Sequence, residues 1–404
     1  MNVAILARAE RPAILTKKGT RIESIDLLRG IIMIIMAIDH VRDYFHYDAF
    51  YYSPTDLTQT SPFLFFTRFI THYCAPVFVF LAGLSGYLSG TRKSKKERAI
   101  SLLKRGLWLI LVELLIIVFF RTFNPTYPYV QLQVIWAIGI SMIVLSALVF
   151  LKRIYIVFIG VLLVGGHNLL DSIHVQGNEL WSFLWAVLHE SKHFQFGHFH
   201  VYVQYPVLPW IGIMAMGYCC GSLYNKGYSS KKRKRLLLSI GLLAITLFVG
   251  LRSNNLYGDP SVWSPQKSSL YSLLSFINVT KYPPSLLYSL ITIGPALIFL
   301  SVSEKPLTQV GKKITIFGGV PMFYYLAHIL LIHVLAAIAG AITGYPEIFI
   351  LRDRIYDIPA LRGYGFNLAT VYLVWAALII ILYPFCKWFN HYKKTHEYWW
   401  LSYL

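Results

Sequence analysis

The chain has 404 residues, of which 56% are hydrophobic and only 14% charged. Soluble domains carry about 25% charged residues, so a water-soluble globular enzyme is excluded. The net charge of +19, from 37 Lys+Arg against 18 Asp+Glu, does not call for nucleic acid, because polytopic membrane chains concentrate Lys and Arg in their cytoplasmic loops.

Apolar runs close to 20 residues, the length that crosses a bilayer core, mark about ten helices. They cover Leu27–Phe45, Phe63–Leu88, Leu102–Phe120, Leu132–Leu151, Ile154–Leu170, Pro206–Leu223, Leu236–Leu251, Pro284–Val302, Val320–Ile342 and Phe366–Phe389. Cys74, Cys219, Cys220 and Cys386 all fall within these runs and read as small buried hydrophobes. Met1–Thr20 has no apolar core of a cleavable signal.

Loop charge tests the count. Arg8, Arg11, Lys17, Lys18 and Arg21 precede the first run, whereas His46–Pro62 has no Lys or Arg. Gly90–Arg105 is strongly basic, as are Lys152–Arg153, Lys226 with Lys231–Arg235, Lys305 with Lys312 and Lys313, and Lys387 with Lys393 and Lys394. Basic and poorly basic loops alternate, which predicts cytoplasmic termini at both ends. Gly344–Gly365 is the weakest outside loop: it holds Arg352, Arg354 and Arg362 beside the acids Glu347, Asp353 and Asp357. The expected fold is thus an all-α polytopic transmembrane bundle over 25–390, with cytoplasmic tails at 1–24 and 391–404. Two outside loops, His167–Tyr205 and Arg252–Pro283, are long enough to be functional, and Leu180–Leu188 reads as a short interfacial helix.

Ionisable residues inside the runs are the chemical signal, since each costs roughly 2.5–3.5 kcal/mol at mid-helix. The first run carries Arg29, Asp39, His40, Arg42 and Asp43. The second carries Arg68 and His72, four apart and so on one face, the third Glu113, and the ninth His328 and His333. Arg29 and His40 are separated by three turns plus about 20° and roughly 16 Å, so both project from one face. A long anionic donor lying along that face would meet Arg29 with its phosphates and His40 with its reactive end. Asp43, three residues on, is the better-placed partner to orient His40, and Asp39 pairs more naturally with Arg42. Catalysis at His40, a structural salt-bridge cluster, and proton-coupled transport all fit these residues. A transporter or flippase for a lipid or sugar would also need broken helices in corresponding halves, and no such symmetry is visible. The outside-loop histidines His189, His193, His198 and His200 match no standard ligand spacing, so no metal is expected.

Several segments together carry a resemblance. Ser24–Gly30 (SIDLLRG), Ala37–Asp43 (AIDHVRD), Phe66–His72 (FTRFITH), Ala75–Gly83 (APVFVFLAG) and Leu132–Gly139 (LQVIWAIG) form its first part. His167–Asp171 (HNLLD), Asn255–Pro260 (NLYGDP), Thr280–Ser285 (TKYPPS) and Pro321–His328 (PMFYYLAH) complete it. From about Arg21 to His333 the chain resembles bacterial membrane proteins related to heparan-α-glucosaminide N-acetyltransferase. The Arg29–His40 spacing is similar to the Arg-X10-His motif of the wider transmembrane acyltransferase superfamily. The resemblance implies a multi-pass enzyme of the bacterial inner membrane that moves an acyl group, expected to be acetyl, from cytoplasmic acyl-CoA to an extracytoplasmic glycan or small-molecule acceptor. It implies membrane lipids as surroundings, no nucleic acid partner, and a homodimer as an open option. It casts Arg29 as donor-binding, with Arg68 grouped beside it, His40 as general base or acyl carrier, and Arg68, His72 and Asp39 as support of the site, to which the helix geometry adds Asp43. In the lysosomal enzyme the position equivalent to His40 is Asn, and the catalytic His lies in the first outside loop, where this chain offers Tyr51 with His46 nearby.

Overall fold

A computed structural model of the protein describes residues 22–345 and 359–404. The basic tail residues Arg8 to Arg21, and Glu347, Arg352, Asp353, Arg354 and Asp357 of the last outside loop, lie outside the described residues. The described residues are all-α apart from one small sheet, and they include five helical stretches long and apolar enough to cross a membrane, Pro62–Ser89, Arg153–Leu170, Ser230–Asn254, Pro321–Ile342 and Leu368–Thr395.

Each apolar run contains a helix, and the departures from uniform spans have local causes. Helix α1 (Glu23–Phe45) opens with Glu23 and Asp26 in its first turn, where the helix dipole favours acids. The second run splits into α2 (Pro62–Thr71) and α3 (Cys74–Ser89). Pro76 has no N–H to offer the carbonyl of His72 four residues back, and the Tyr288 hydroxyl donates to that carbonyl instead, at 2.7 Å. A lipid environment leaves no water to satisfy such a group. In the third run, α4 (Lys95–Leu111) starts on a Ser94–Glu97 capping box, loosens into a π-turn over Val112–Ile117, and resumes as α5 (Val118–Thr122). That turn carries Glu113, whose carboxylate accepts the backbone N–H of Trp136 at 3.1 Å.

Helices α6 (Val134–Leu148) and α7 (Arg153–Gly166) follow, then α8 (Leu180–Leu188), the short helix expected within the first long loop. After α9 (Leu208–Gly221) and α10 (Ser230–Asn254) comes α11 (Ser269–Ile277), a short helix in the second long loop. Next are α12 (Leu286–Val302), α13 (Gln309–Gly319), α14 (Pro321–Ile342) and α15 (Leu368–Thr395). Helix α13 occupies what reads in sequence as a basic loop. Of the four loop histidines, His189 directly follows α8, while His193, His198 and His200 fall on a hairpin of β2 (Lys192–Phe196) and β3 (Phe199–Val203); β1 (Tyr129–Leu132) pairs parallel to β3.

Helix α1 is the hub, packed by α2, α3, α12, α13, α14 and α15. Two glycines let α13 lie directly on it: a Cβ on Gly30 would stand 2.2 Å from the Ile314 carbonyl oxygen, and one on Gly318 would stand 2.0 Å from that of Asp26. Gly106 and Gly139 oppose each other in the same way between α4 and α6. Small residues at such crossings are how membrane helices gain van der Waals contact where apolar burial gives no driving force.

Candidate functional site

The polar face of α1 points inward onto two cavities arranged in series. The larger, about 320 Å³, lies toward the Glu23 end and is lined mostly by apolar side chains such as Met33, Leu81, Leu109 and Ile138. Its basic groups are Arg29, Arg105 and Lys393, and the carboxy-terminal residues Ser402–Leu404 form part of its wall. The volume is in the range of small-molecule sites. The smaller chamber, about 50 Å³, lies toward the Phe45 end and is lined by Asp39, His40, Asp43, Arg121, Gln133, Gln204, Lys281 and Tyr282, among others. Met36, Phe78, Val134 and Tyr325 line both cavities and form the waist between them.

Arg29 is held rigidly at the first cavity. Its Nη1 donates to Asp26 Oδ1 at 3.0 Å and to the Gly318 carbonyl at 3.1 Å, while Nη2 donates to Ser85 Oγ at 2.8 Å. The glycine contacts between α1 and α13 therefore set the position of this guanidinium as well as the packing.

His40 belongs to the second chamber. Arg121 Nη2 lies 3.5 Å from its Nδ1, and the His328 and Tyr325 rings lie 5.2 and 6.3 Å from its own. Arginine only donates, so Nδ1 presents its lone pair to Arg121 and the neutral ring carries its proton on Nε2. Arg121 also interacts with the Tyr325 hydroxyl at the waist.

The acids of α1 are shared differently from the sequence expectation. Asp39 does pair with Arg42, at 2.8 Å. Asp43, expected to orient His40, is instead taken by Arg42 Nη2 at 2.5 Å. The long guanidinium spans both carboxylates, and the imidazole meets Arg121 from α5. Arg68, grouped with Arg29 in the sequence reading, sits in this outer cluster. Its Nη1 donates to Asp39 Oδ2 at 2.5 Å and to Thr71 Oγ1 at 3.4 Å. It stands behind the chamber wall rather than at the larger cavity. His72 is buried against Tyr288, ring to ring at 5.5 Å, one residue behind the chamber-lining Thr71.

Two other histidines lie away from the cavities. His46 caps the turn after α1, its Nδ1 accepting the Asp48 N–H at 3.3 Å, and it stacks on Tyr47. His333 donates to the Phe120 carbonyl at 2.7 Å and stacks on Phe123. His328 Nδ1 donates to the Tyr324 carbonyl at 2.9 Å, which turns its Nε2 away from that bond.

Sequence reasoning gave no site role to Arg121, Lys281, Tyr282 or Gln204. Arg121 and Gln204 sit at the ends of apolar runs, where charge and polarity are unremarkable, yet Arg121 is 3% exposed and Lys281 only 9%. Lys281 and Tyr282 precede the cis Tyr282–Pro283 bond in the TKYPPS segment, whose unusual composition was the one available signal. Gln204 Oε1 accepts from both Gln131 (2.7 Å) and Gln133 (3.0 Å), a bridge that only the pairing of β1 with β3 brings about.

Compared with known proteins, residues 21–257 match the family model described as heparan-alpha-glucosaminide N-acetyltransferase, catalytic. That span holds Arg29, Asp39, His40, Asp43, Arg68, His72 and Arg121. No curated protein matches the chain.

Proposed function

The chain belongs to the heparan-alpha-glucosaminide N-acetyltransferase catalytic family, and is thus a membrane acetyltransferase; from that premise we propose that it moves an acetyl group from cytoplasmic acetyl-CoA to a hydroxyl or amine acceptor on the opposite face of a bacterial inner membrane. The observation that carries this reading is the pair of cavities in series along one face of α1, with Arg29 on one and His40 on the other. Both termini are cytoplasmic, so the larger cavity opens toward the cytosol. Arg29, Arg105 and Lys393 receive the anionic part of the donor, as suits phosphate recognition. Its pantetheine arm follows the apolar wall to the waist at Met36, Phe78, Val134 and Tyr325.

The thioester carbonyl then meets His40. Nδ1 is the nitrogen with the available lone pair, and the 3.5 Å contact with Arg121 is at the long limit of a hydrogen bond. The acceptor hydroxyl or amine displaces Arg121 and gives its proton to Nδ1 while its oxygen or nitrogen attacks the carbonyl carbon. Arg121, Lys281 and Tyr325 line the chamber where negative charge develops on the carbonyl oxygen, and donors so placed stabilise it. Collapse breaks the C–S bond, and the proton passes from His40 to the thiolate, releasing CoA. Asp39, Arg42, Asp43 and Arg68 hold the shape of the chamber from behind. At about 50 Å³ the chamber admits an acetyl-sized group or a few waters. A glycan acceptor therefore enters only when the outer elements carrying Tyr205 and Tyr282 part.

The test is CoA release from acetyl-CoA by the protein purified in detergent, with glucosamine and glucose as amine and hydroxyl probes. Replacing His40 by Ala is expected to lower the rate by about 10²–10⁴-fold, the usual contribution of a general base, with the fold retained. A wild-type rate in that variant refutes the assignment. Absence of turnover in the unmodified protein with a range of acyl-CoA donors would favour a transporter instead.

A further inference from the structure

A second polar cluster lies away from both cavities, where α7 gives way to the first long loop. Helix α7 ends at Gly166 and a single 3-10 turn, His167–Leu170, follows. His167 and Asp171 are four residues apart across that turn. The loop returns through α8, and His189, the residue that caps its carboxy-terminal end, donates its backbone N–H to the Trp185 carbonyl at 2.8 Å. Its path is set by Lys192, which donates to the Val175 and Gly177 carbonyls at 2.7 and 3.0 Å, and by Trp185, which donates to the Ile173 carbonyl at 3.0 Å. This brings His189 Nε2 to 3.1 Å from Asp171 Oδ1. The His167 ring lies 5.5 Å from the His189 ring.

His167, Asp171 and His189 each offer one ligand atom, and these atoms all lie within 4.8 Å of one another. Both histidines are only 3% exposed. Neither ring nitrogen of His167, nor His189 Nδ1, has a hydrogen bond of good geometry, although the His167 ring also faces the Pro284 backbone carbonyl. A buried polar group left in that state costs about 1–3 kcal/mol, and a group of them in one place needs an explanation. The carboxylate is already oriented: Asn168 Nδ2 donates to Asp171 Oδ2 at 2.8 Å, turning Oδ1 toward the histidines. Asn168 is itself fixed, because its Oδ1 accepts the Leu286 N–H at 2.9 Å. Supporting bonds of this kind orient the ligands of metal sites.

We propose that His167, His189 and Asp171 bind a divalent transition-metal cation, with zinc the best match. Two imidazoles and one carboxylate form a borderline donor set suited to zinc, and three protein ligands leave one position of a tetrahedron for water. Zinc–ligand bonds of about 2.0–2.1 Å place two tetrahedral ligands roughly 3.3 Å apart, close to the 3.1 Å between His189 and Asp171. His167 closes the remaining distance on binding. The cation ties the end of α7 to the end of α8. Through Asn168 it also braces the first residue of α12, Leu286, five residues after the chamber-lining Lys281. The spacing of these residues in sequence did not suggest a site, because His167 and His189 are 22 residues apart and only the folded loop joins them.

The test uses the full chain, purified without a polyhistidine tag, stripped with a chelator and titrated with Co²⁺ and Zn²⁺. Metal content per chain and the visible absorption of bound Co²⁺ are the readouts, and neither depends on activity. One cation per chain is expected, displaced by Zn²⁺, with affinity lowered at least about 100-fold in His189→Gln and in His167→Gln. Asn168→Ala, which leaves all three ligands in place, should weaken binding about 10–100-fold and serves if a ligand variant fails to fold. No uptake by the unmodified protein overturns the proposal. So does uptake unchanged in these variants, or uptake lost only when the hairpin residues His198 and His200 are replaced by Gln.

Discussion

Replacing Asp39 by Asn tests the charge architecture behind the chamber. The substitution keeps the shape of the side chain and removes one negative charge. Arg42 retains Asp43 at 2.5 Å, but Arg68 loses the Asp39 carboxylate at 2.5 Å and keeps only Thr71 Oγ1 at 3.4 Å, the Tyr282 hydroxyl and the more distant charge of Asp43. Breaking a buried ion pair by removing one partner costs about 3–5 kcal/mol. The side chains of Asp39 and Arg68 retain 16% and 13% exposure, so some solvation remains and the lower end, about 3 kcal/mol, is expected. Removing the stranded charge as well, in Asp39→Asn with Arg68→Gln, should recover much of that loss. The assay is equilibrium unfolding in mixed micelles for the unmodified protein, both single variants and the double variant, closed as a thermodynamic cycle. A coupling of about 2 kcal/mol or more is expected, within the range for residues of one ion-pair network. Coupling near zero, or a single variant as stable as the parent, would show that this cluster carries no such interdependence and refute the reasoning.

Arg29→Ala should raise the apparent KM for acetyl-CoA by about 10–100-fold with kcat little changed, the loss of about 1.5–3 kcal/mol in hydrogen bonds to a charged group; an unchanged donor KM removes its assigned role. Gly30→Ala should destabilise the protein by about 1–3 kcal/mol, because the added Cβ meets the Ile314 carbonyl oxygen at 2.2 Å; unfolding in mixed micelles reads this, and a stability equal to the parent's would contradict the tight α1–α13 contact. Glu304, just beyond α12, contributes in a pH-dependent way. Burial raises its pKa, but hydrogen bonds from Arg233 and Ser230 and the charges of Arg233 and Lys234 outweigh this and hold it below the usual value. Its contribution is thus complete above the unfolded pKa of about 4.3 and fades as pH falls through the lower folded value. Glu304→Gln should cost about 1 kcal/mol at pH 7, a partly screened pair, and the stability gap to the parent should narrow below about pH 4.3; a gap constant down to pH 3 would show that the carboxylate's charge is not involved.

Which residues form a helix and which of them share its face was legible in the sequence. Apolar runs of bilayer length announce helices because a spanning segment must satisfy its own backbone. The 3.6-residue repeat put Arg29 and His40 on one face, and three-residue spacing paired Asp39 with Arg42. Which of the available partners actually meet was settled only by packing. Periodicity made Asp43 available to His40, yet the side chain of Arg42 reaches it first. Arg121, 81 residues from His40 in sequence, arrives through the turn that ends α5. Arg68 finds Asp39 across 29 residues because α2 breaks from α3 and leans on α1. The break at Pro76, the π-turn at Glu113 and the glycine contact that lays α13 on α1 each serve a partner distant in the chain. A single helix repeat holds no record of such partners, since their distances are set by how close the backbones approach.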